Sequence, residues 1–486
     1  MSSATTESVA PAAAVPAATA TPPPTGSAPS TSTPAPADAA PAAPGYVPPP
    51  GETSTGSEAG LFPPISRMPT GTPRVPPMQF YTNVALFFFL TVYTALGVVL
   101  LQLPSLLLLY GPMPVLFALP PARRAEVRAR AYRLYKWYIR WTESIFGSSV
   151  VILINTLAPT RLVVTGDLDP IRDLPQVVVM ANHQIYPDWV YLWSLARLVN
   201  HHADMKILLM SVLQYLPVFG IGMTFFEFIF LKRKLSADRR TIIDLMSRQA
   251  RDAPDLPMML VIFPEGTLNT PNNRDTSRAF AKKADIADDP KYVILPKATG
   301  LFMCCDVLQP RVNTLFDVTV GYGGLKGEQI PYEEYLPDNV FFRGYGPREV
   351  HLHVQPYTIS RLPGFDGAIT DEYLAKHKDL AEQAAKQAEK SGGAFDTLTE
   401  ARRQAFSDWV RGRFMQKDTL MERFYKDGAF PEVETGVPAP RTLTRKVFEV
   451  VPEPTDWLIV IFGWISVLYT LPFYLRLIWI ALRVVF

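Results

Sequence analysis

Two short polar clusters, each at the end of an apolar run, carry residue types able to move a proton and hold an anion. Residues 177–189 read Val-Val-Val-Met-Ala-Asn-His-Gln-Ile-Tyr-Pro-Asp-Trp. A strand-like run ending in Asn182-His183, a turn containing Pro187, and an aspartate opening the next helix bring His183 and Asp188 close together. A carboxylate on one imidazole nitrogen fixes the tautomer and leaves the other nitrogen to take a proton. No Gly-x-Ser-x-Gly elbow occurs in the chain, so the proton would come from a substrate hydroxyl and not from an enzyme serine. A capped structural histidine has the same His-x4-Asp spacing.

The second cluster follows another apolar run, 258–263, and reads Phe263-Pro264-Glu265-Gly266-Thr267. Gly266 lets backbone approach a ligand and Thr267 offers a hydroxyl, a way of holding phosphate beside a strand end. Upstream, Phe228-Ile-Phe-Leu is followed by Lys232-Arg233-Lys234. Lys232 and Arg233 suit a phosphate anion, the arginine bidentately. Taken singly, these are a turn and a charge run.

Alternating elements must position these groups. Arg161–Thr165, Gln176–Met180, Met258–Phe263, Tyr292–Leu295, Asp317–Tyr322 and Val350–Gln355 are short β-branched or apolar runs, expected to be strands. Trp189–Leu198 and Arg239–Arg251 have helical composition between them. The alternation over roughly 145–360 argues an α/β domain, expected with its leading helix to span 121–360. That leading helix has Val127, Ala131, Leu134, Tyr138, Trp141 and Ile145 as one apolar stripe opposite a basic face. Thr397 and Glu400 form a capping box before Phe406, Trp409, Val410 and Phe414, so a helical appendage is expected in 361–440. His351 and His353 share one strand face and are read as a surface pair, not as a metal site.

Both flanks of this domain are apolar. No charged residue occurs between Arg74 and Arg123, and Leu86–Leu103 is long enough, with its flanks, to enter a bilayer core of ~30 Å. Residues 78–120 are therefore expected to form one or more N-terminal membrane segments, and 441–486, with uncharged Trp457–Leu475, a C-terminal one. Arg123, Arg124, Arg128, Arg130, Arg133, Lys136 and Arg140 follow the first segment against Arg67 and Arg74 before it, which predicts residues 121 onward on the cytosolic side. Ile207–Phe226 is also uncharged, but a crossing there would part His183 from Glu265. With Pro217, Gly220 and Gly222 interrupting it, it is read as core and as a wall against the membrane surface.

Composition bounds the rest. Of 47 prolines, 19 fall in residues 1–77 among Ala, Ser and Thr, a stretch expected to be a disordered Pro/Ala-rich tail. Lys+Arg of 47 against Asp+Glu of 45 gives a net charge of +2, without the basic excess of a nucleic-acid binder. Two adjacent cysteines, Cys304 and Cys305, build no disulfide framework, and no Asn-x-Ser/Thr acceptor occurs. A reducing compartment fits both.

In this order and at these intervals the clusters resemble the motifs of the glycerolipid acyltransferases of the 1-acylglycerol-3-phosphate O-acyltransferase type. The first motif, Asn-His-x4-Asp, corresponds to Asn182, His183 and Asp188. The second, Phe-aliphatic-x-Arg, corresponds to Phe230, Leu231, Lys232 and Arg233. The third, Phe-Pro-Glu-Gly-Thr, is unchanged at 263–267, and the fourth, an apolar strand ending in proline, corresponds to Val293-Ile294-Leu295-Pro296. Finer features, among them Leu295-Pro-Lys-Ala-Thr-Gly-Leu301 and Lys417-Asp418 with Arg423-Phe-Tyr425, resemble the lysocardiolipin and lysophosphatidylinositol branch. The sequence departs from the lysophosphatidic acid enzymes at Leu268, where many carry Arg, at Ile221, where Trp is common, and at Lys297, where Arg is common.

The resemblance implies a membrane-associated α/β domain with a mixed sheet flanked by helices, plus the two terminal membrane segments. It implies acyl transfer from acyl-CoA, as co-substrate, to a free glycerol hydroxyl of a lysophospholipid. His183 would be the general base and Asp188 its orienting partner. Arg233 with Lys232, Glu265, Gly266 and Thr267 would hold the acceptor's phosphate region, Glu265 through hydrogen bonds, and Pro296 would border the acyl groove. Neither a cofactor nor a metal is expected. The expected partners are acyl-CoA, the lysophospholipid and membrane lipids, with no nucleic acid. The expected location is the endoplasmic reticulum membrane with the domain cytosolic. A catalytically inactive, membrane-anchored lipid-binding or scaffold protein would have the same fold. A lipid hydrolase would need a nucleophilic serine for which the sequence offers no recognised setting.

Overall fold

The structure, a computed structural model, describes residues 75–252, 256–283, 286, 290–309, 311–327, 329–370, 397–433 and 441–485. The expected disordered tail, but for residues 75–77, and residues 371–396 of the expected appendage lie outside them. Among the described residues eight strands form one sheet: β1 Arg161–Gly166, β2 Gln176–Ala181, β3 Met205–Met210, β4 Ile229–Leu231, β5 Met258–Ile262, β6 Thr314–Tyr322, β7 Glu349–Thr358 and β8 Arg445–Glu449. Their order is β4-β3-β5-β2-β6-β7-β1-β8. The first five of that order run parallel, β7 is antiparallel to β6, β1 is parallel to β7, and β8 is antiparallel to β1. The sheet is mixed, as the resemblance implied.

The helices are α1 Pro77–Gln102, α2 Ser105–Tyr110, α3 Met113–Ala118, α4 Pro121–Leu157, α5 Asp169–Asp173, α6 Asp188–Leu198, α7 Phe219–Phe225, α8 Leu235–Asp252, α9 Pro271–Lys283, α10 Thr299–Leu308, α11 Pro331–Glu334, α12 Pro337–Phe341, α13 Thr397–Asp427 and α14 Pro454–Val485. They sort by the pleat of the sheet. Val177, Val179 and Ala181 of β2 point to a core shared with α1, α4, α6 and α14, while Val178 and Met180 point to one shared with α8, α10 and α13. Both faces being covered, the central strands read as unbroken apolar runs without alternation.

Four expectations need correction. Tyr292–Leu295 is no strand, because its N–H groups are taken by side chains: Asp418 for Tyr292 and Val293, Glu265 for Ile294, Ser277 for Leu295. The helix expected as an appendage instead roofs the sheet, with Phe406, Val410 and Phe414 fully buried. Within 441–486, the segment 445–449 is a sheet strand, so the long apolar helix begins only at Pro454. His351 and His353 are buried, not on the surface, packed against Phe424 and Phe430.

In α4 the expected stripe holds only in part. Leu134 is exposed, whereas Lys136 and Arg140 turn inward to Glu227 (2.5 Å) and Asp204 (2.5 Å). Ile207–Phe226 is not one helix; it divides into strand β3, a 3₁₀ turn and α7. Pro77–Tyr110 and Pro454–Arg476 are long and apolar enough to cross a membrane. Phe88, Phe89, Val92 and Leu96 of α1, with Leu458, Ile461, Phe462, Leu468 and Tyr469 of α14, are exposed.

Candidate active site

Strands β2, β5 and β4 are parallel, so the three motifs that follow them emerge at one edge of the sheet, where open α/β sheets bind ligands. After β2, Asn182 spends both ends of its amide on the Val320 peptide of β6, donating at 3.0 Å and accepting at 2.7 Å. It clamps the strand end from which His183 projects.

The turn between His183 and α6 is wound around one carboxylate. Asp188, fully buried in the first turn of α6, accepts the Gln184 N–H at 2.6 Å and the Ile185 N–H at 3.0 Å on Oδ2. The same oxygen meets His183 Nδ1 at 2.7 Å. Its other oxygen accepts the Tyr322 hydroxyl. Burial and the neighbouring Asp188 charge push the Tyr322 phenol well above its usual range, so it stays a proton donor to the carboxylate. With Nδ1 committed to Asp188, Nε2 is the ring's proton acceptor. The ring lies over Phe263, centroids 4.3 Å apart and 23° from parallel, with its side chain 21% exposed.

After β5 the chain brings Glu265 beneath this turn. Its carboxyl group is completely buried and engages two backbone donors, His183 N at 2.8 Å and Ile294 N at 3.1 Å. Burial pushes it up to about 8 against the pull of those two N–H groups. The expectation that Glu265 itself meets the acceptor is thereby corrected: its oxygens hold the first and fourth motifs together. Gly266, next in the chain, is exposed and left-handed at φ +67°, a conformation costing any other L-residue about 1–2 kcal/mol. A Cβ there would lie 3.7 Å from Lys297 Cδ, so a cation stands beside the exposed glycine. Thr267 Oγ1 accepts from Asn273 Nδ2 at 2.8 Å, and Pro296 is half-buried.

The basic triplet lies at the same edge but three strand positions from β2, about 14 Å at the usual strand spacing. Buried Asp238 accepts the N–H groups of Lys232 (2.7 Å) and Lys234 (2.9 Å), forcing Arg233 between them to φ +60°. The Lys232 and Arg233 side chains are exposed.

Sequence reasoning did not single out Tyr322, Phe263, Gln184 or Asn269 as site residues. Asn269 Nδ2 donates to Gln184 Oε1 (3.1 Å) and to the Tyr292 carbonyl (2.7 Å), while its N–H donates to the His183 carbonyl at 3.0 Å. Both side chains are fully buried; Gln184 lies inside the first motif and Asn269 two residues past the third, and only the tertiary pairing reveals that they meet.

Residues 163–307 match the acyltransferase family model. The chain is 29% identical over 314 residues to the 2-acyl-1-lysophosphatidylinositol acyltransferase of Saccharomyces cerevisiae, covering 57% of this chain and 70% of that one. It is 33% identical over 233 residues to lysocardiolipin acyltransferase 1 of Mus musculus (47% and 58%). To the probable 1-acyl-sn-glycerol-3-phosphate acyltransferase 5 of Arabidopsis thaliana it is 28% identical over 295 residues (60% and 64%). It thus spans less than two thirds of the mouse and plant proteins.

Proposed function

We propose that this chain, which carries an acyltransferase domain and is similar to lysophospholipid acyltransferases, esterifies a free glycerol hydroxyl of a lysophospholipid with the acyl group of acyl-CoA. The observation that carries the reading is the His183–Asp188 pair. One ring nitrogen is held by a buried carboxylate and the other is free at the ligand-binding edge of the sheet. His183 Nε2 takes the hydroxyl proton as the hydroxyl oxygen bonds to the thioester carbonyl carbon. Collapse of the tetrahedral adduct breaks the C–S bond, and the imidazolium returns the proton to the departing CoA sulfur. Asp188 keeps the ring in the right tautomer and stabilises its cation.

In this reading Lys297 beside Gly266, with Lys232 and Arg233 further along the edge, supplies positive charge for the acceptor's phosphate. Thr267 and Pro296 border the acceptor and acyl chains. Glu265 positions His183. No metal or cofactor is required by these steps. The apolar helices α1 and α14 attach the chain to a membrane, which we assign to the endoplasmic reticulum with the domain facing the cytosol, where acyl-CoA is supplied.

Microsomes containing the full chain, given labelled acyl-CoA with and without lysophosphatidylinositol, lysocardiolipin or lysophosphatidic acid, test the proposal. Labelled phospholipid should appear only when acceptor is present. Label released as free fatty acid, or no product with any acceptor, would overturn it.

A further inference from the structure

Helices α1 and α14 pack side by side in the same direction. The rings of Phe89 and Tyr93 sit 6.3 and 5.1 Å from that of Trp464. Further along, a Cβ on Gly97 would stand 3.3 Å from Val467 Cγ2, and further still Tyr474 Oη donates to the Leu100 carbonyl at 3.0 Å. Later residues of one helix meet later residues of the other, so the pair is parallel.

The domain lies between them in the chain and grips both. The start of α14 is fixed by Asp456, buried, which accepts from Arg197 Nε at 3.1 Å and Ser148 Oγ at 2.7 Å. The domain end of α1 is fixed by Gln102, whose amide donates to the Gly222 carbonyl at 3.5 Å. Its opposite half is also docked, Asn83 donating to the Phe342 carbonyl at 3.3 Å and Phe87 lying 5.2 Å from Phe341. From Asn83 to Gln102 an α-helix advances about 28 Å, close to the ~30 Å of a bilayer core.

These contacts cannot coexist with two crossings. A first helix that crosses to deliver a domain to one face of a membrane requires a second helix that leaves from that face, antiparallel to the first. Here the second is parallel. A crossing α1 would also drag Phe342 and Gly222, both parts of the domain, to opposite faces of the bilayer. We infer that neither helix crosses: α1 and α14 lie together in one leaflet, on the domain's own side, and both chain ends share that side. The occupant of their outer face is the acyl region of that leaflet. Phe88, Phe89, Val92 and Leu96 of α1 are exposed toward it, with Leu458, Ile461, Leu468 and Tyr469 of α14. The charge bias that predicts a crossing shrinks accordingly, since Lys136 and Arg140 are spent on Glu227 and Asp204. The inference stands apart from the reaction proposed above.

The test uses the full chain, which has no natural glycosylation acceptor, carrying an epitope and an Asn-x-Ser/Thr acceptor at each end, made in sealed microsomes. Neither acceptor should be glycosylated, both epitopes should be lost to external protease without detergent, and the protein should stay in the pellet after alkaline carbonate. Glycosylation or protection of either end would overturn the inference, as would release by carbonate. A Gly97→Cys, Val467→Cys pair tests the packing in intact membranes, where Cys304 and Cys305 are buried and give no background. An oxidative cross-link between the two positions supports the parallel pair, and its absence in a membrane-bound, active protein would refute it.

Discussion

Glu265 holds His183 by the main chain: its buried carboxyl group accepts the His183 N–H at 2.8 Å and, on its other oxygen, the Ile294 N–H at 3.1 Å. One side chain thereby ties the ends of β2 and β5 to the segment before Pro296. The glutamate of the third motif thus acts as a bracket for peptide groups, one oxygen accepting from each side.

Glu265→Gln puts an amide NH₂ against one of those two N–H groups. Leaving a buried donor unpaired costs about 1–3 kcal/mol, so the melting temperature in detergent should fall. Its pH dependence carries a sign. Burial raises the carboxyl group from its ordinary 4.5 to about 8 in the folded protein, so folding favours its protonated form. That contribution is complete below pH about 4.5 and is lost as pH rises to about 8. Glutamine does not titrate, so the melting gap between parent and variant should be widest near pH 5 and shrink toward pH 8. A gap independent of pH would show that Glu265 does not titrate in this range.

His183→Ala should leave the chain folded and membrane-bound while lowering transfer on the order of 10²–10⁴-fold. Tyr322→Phe removes the hydroxyl donor from Asp188 and should lower kcat by on the order of tenfold with little change in either KM, since an unsupported carboxylate orients the ring less well. Single-turnover rates separate the two effects; near-normal transfer by His183→Ala would remove His183 from the mechanism.

Asp418 lies outside the family-matched stretch, yet its Oδ1 accepts the Tyr292 and Val293 N–H groups at 2.5 and 3.2 Å. Those residues lead directly to Ile294 and so to Glu265 and His183. Asp418→Ala should therefore lower kcat while leaving acceptor KM nearly unchanged, and Asp418→Asn, which keeps an accepting oxygen, should recover most of the loss. A change confined to KM would place Asp418 at the acceptor instead.

Acceptor choice should follow charge. With Leu268 where many lysophosphatidic acid enzymes carry arginine, the edge lacks one cation for a doubly charged phosphomonoester. Lysophosphatidylinositol or a lysocardiolipin-like diester should be used at least as well as lysophosphatidic acid. Arg233→Ala should mainly raise acceptor KM, because the phosphate is bound in ground and transition states alike, and Leu268→Arg should shift preference toward the monoester. A clear preference of the parent for lysophosphatidic acid would refute the charge argument and leave the transfer reaction standing.

Much of the sheet was legible because β1, β2, β5, β6 and β7 are β-branched or apolar runs, most with turn residues nearby, and the closeness of His183 to Asp188 follows from a strand end, a Pro-containing turn and a helix start in that order. Tyr292–Leu295 misled because its composition is that of a strand while its N–H groups are claimed by side chains far away in the chain. Nothing local announces such a claim. β8 escaped because Arg445-Lys-Val-Phe-Glu449 is mostly exposed at a sheet edge and lacks an apolar signature. Tyr322 escaped for the opposite reason, since one more aromatic in a buried strand looks like packing until its hydroxyl is found on Asp188. Lys136 and Arg140, each ion-paired to an acidic side chain of the domain, defeat any count that treats each cation as free.

The parallel seating of α1 against α14 also sets a timetable. About 350 residues separate the end of α1 from the start of its partner, and at roughly 5–20 residues per second a ribosome needs on the order of 20–70 s to make them. During that interval the Trp464, Val467 and Tyr474 surface does not exist, and the side of α1 that will receive it is bare. The nascent helix must spend this wait in lipid or in the keeping of a chaperone, so a stalled or truncated chain should be the form most prone to clump or be degraded.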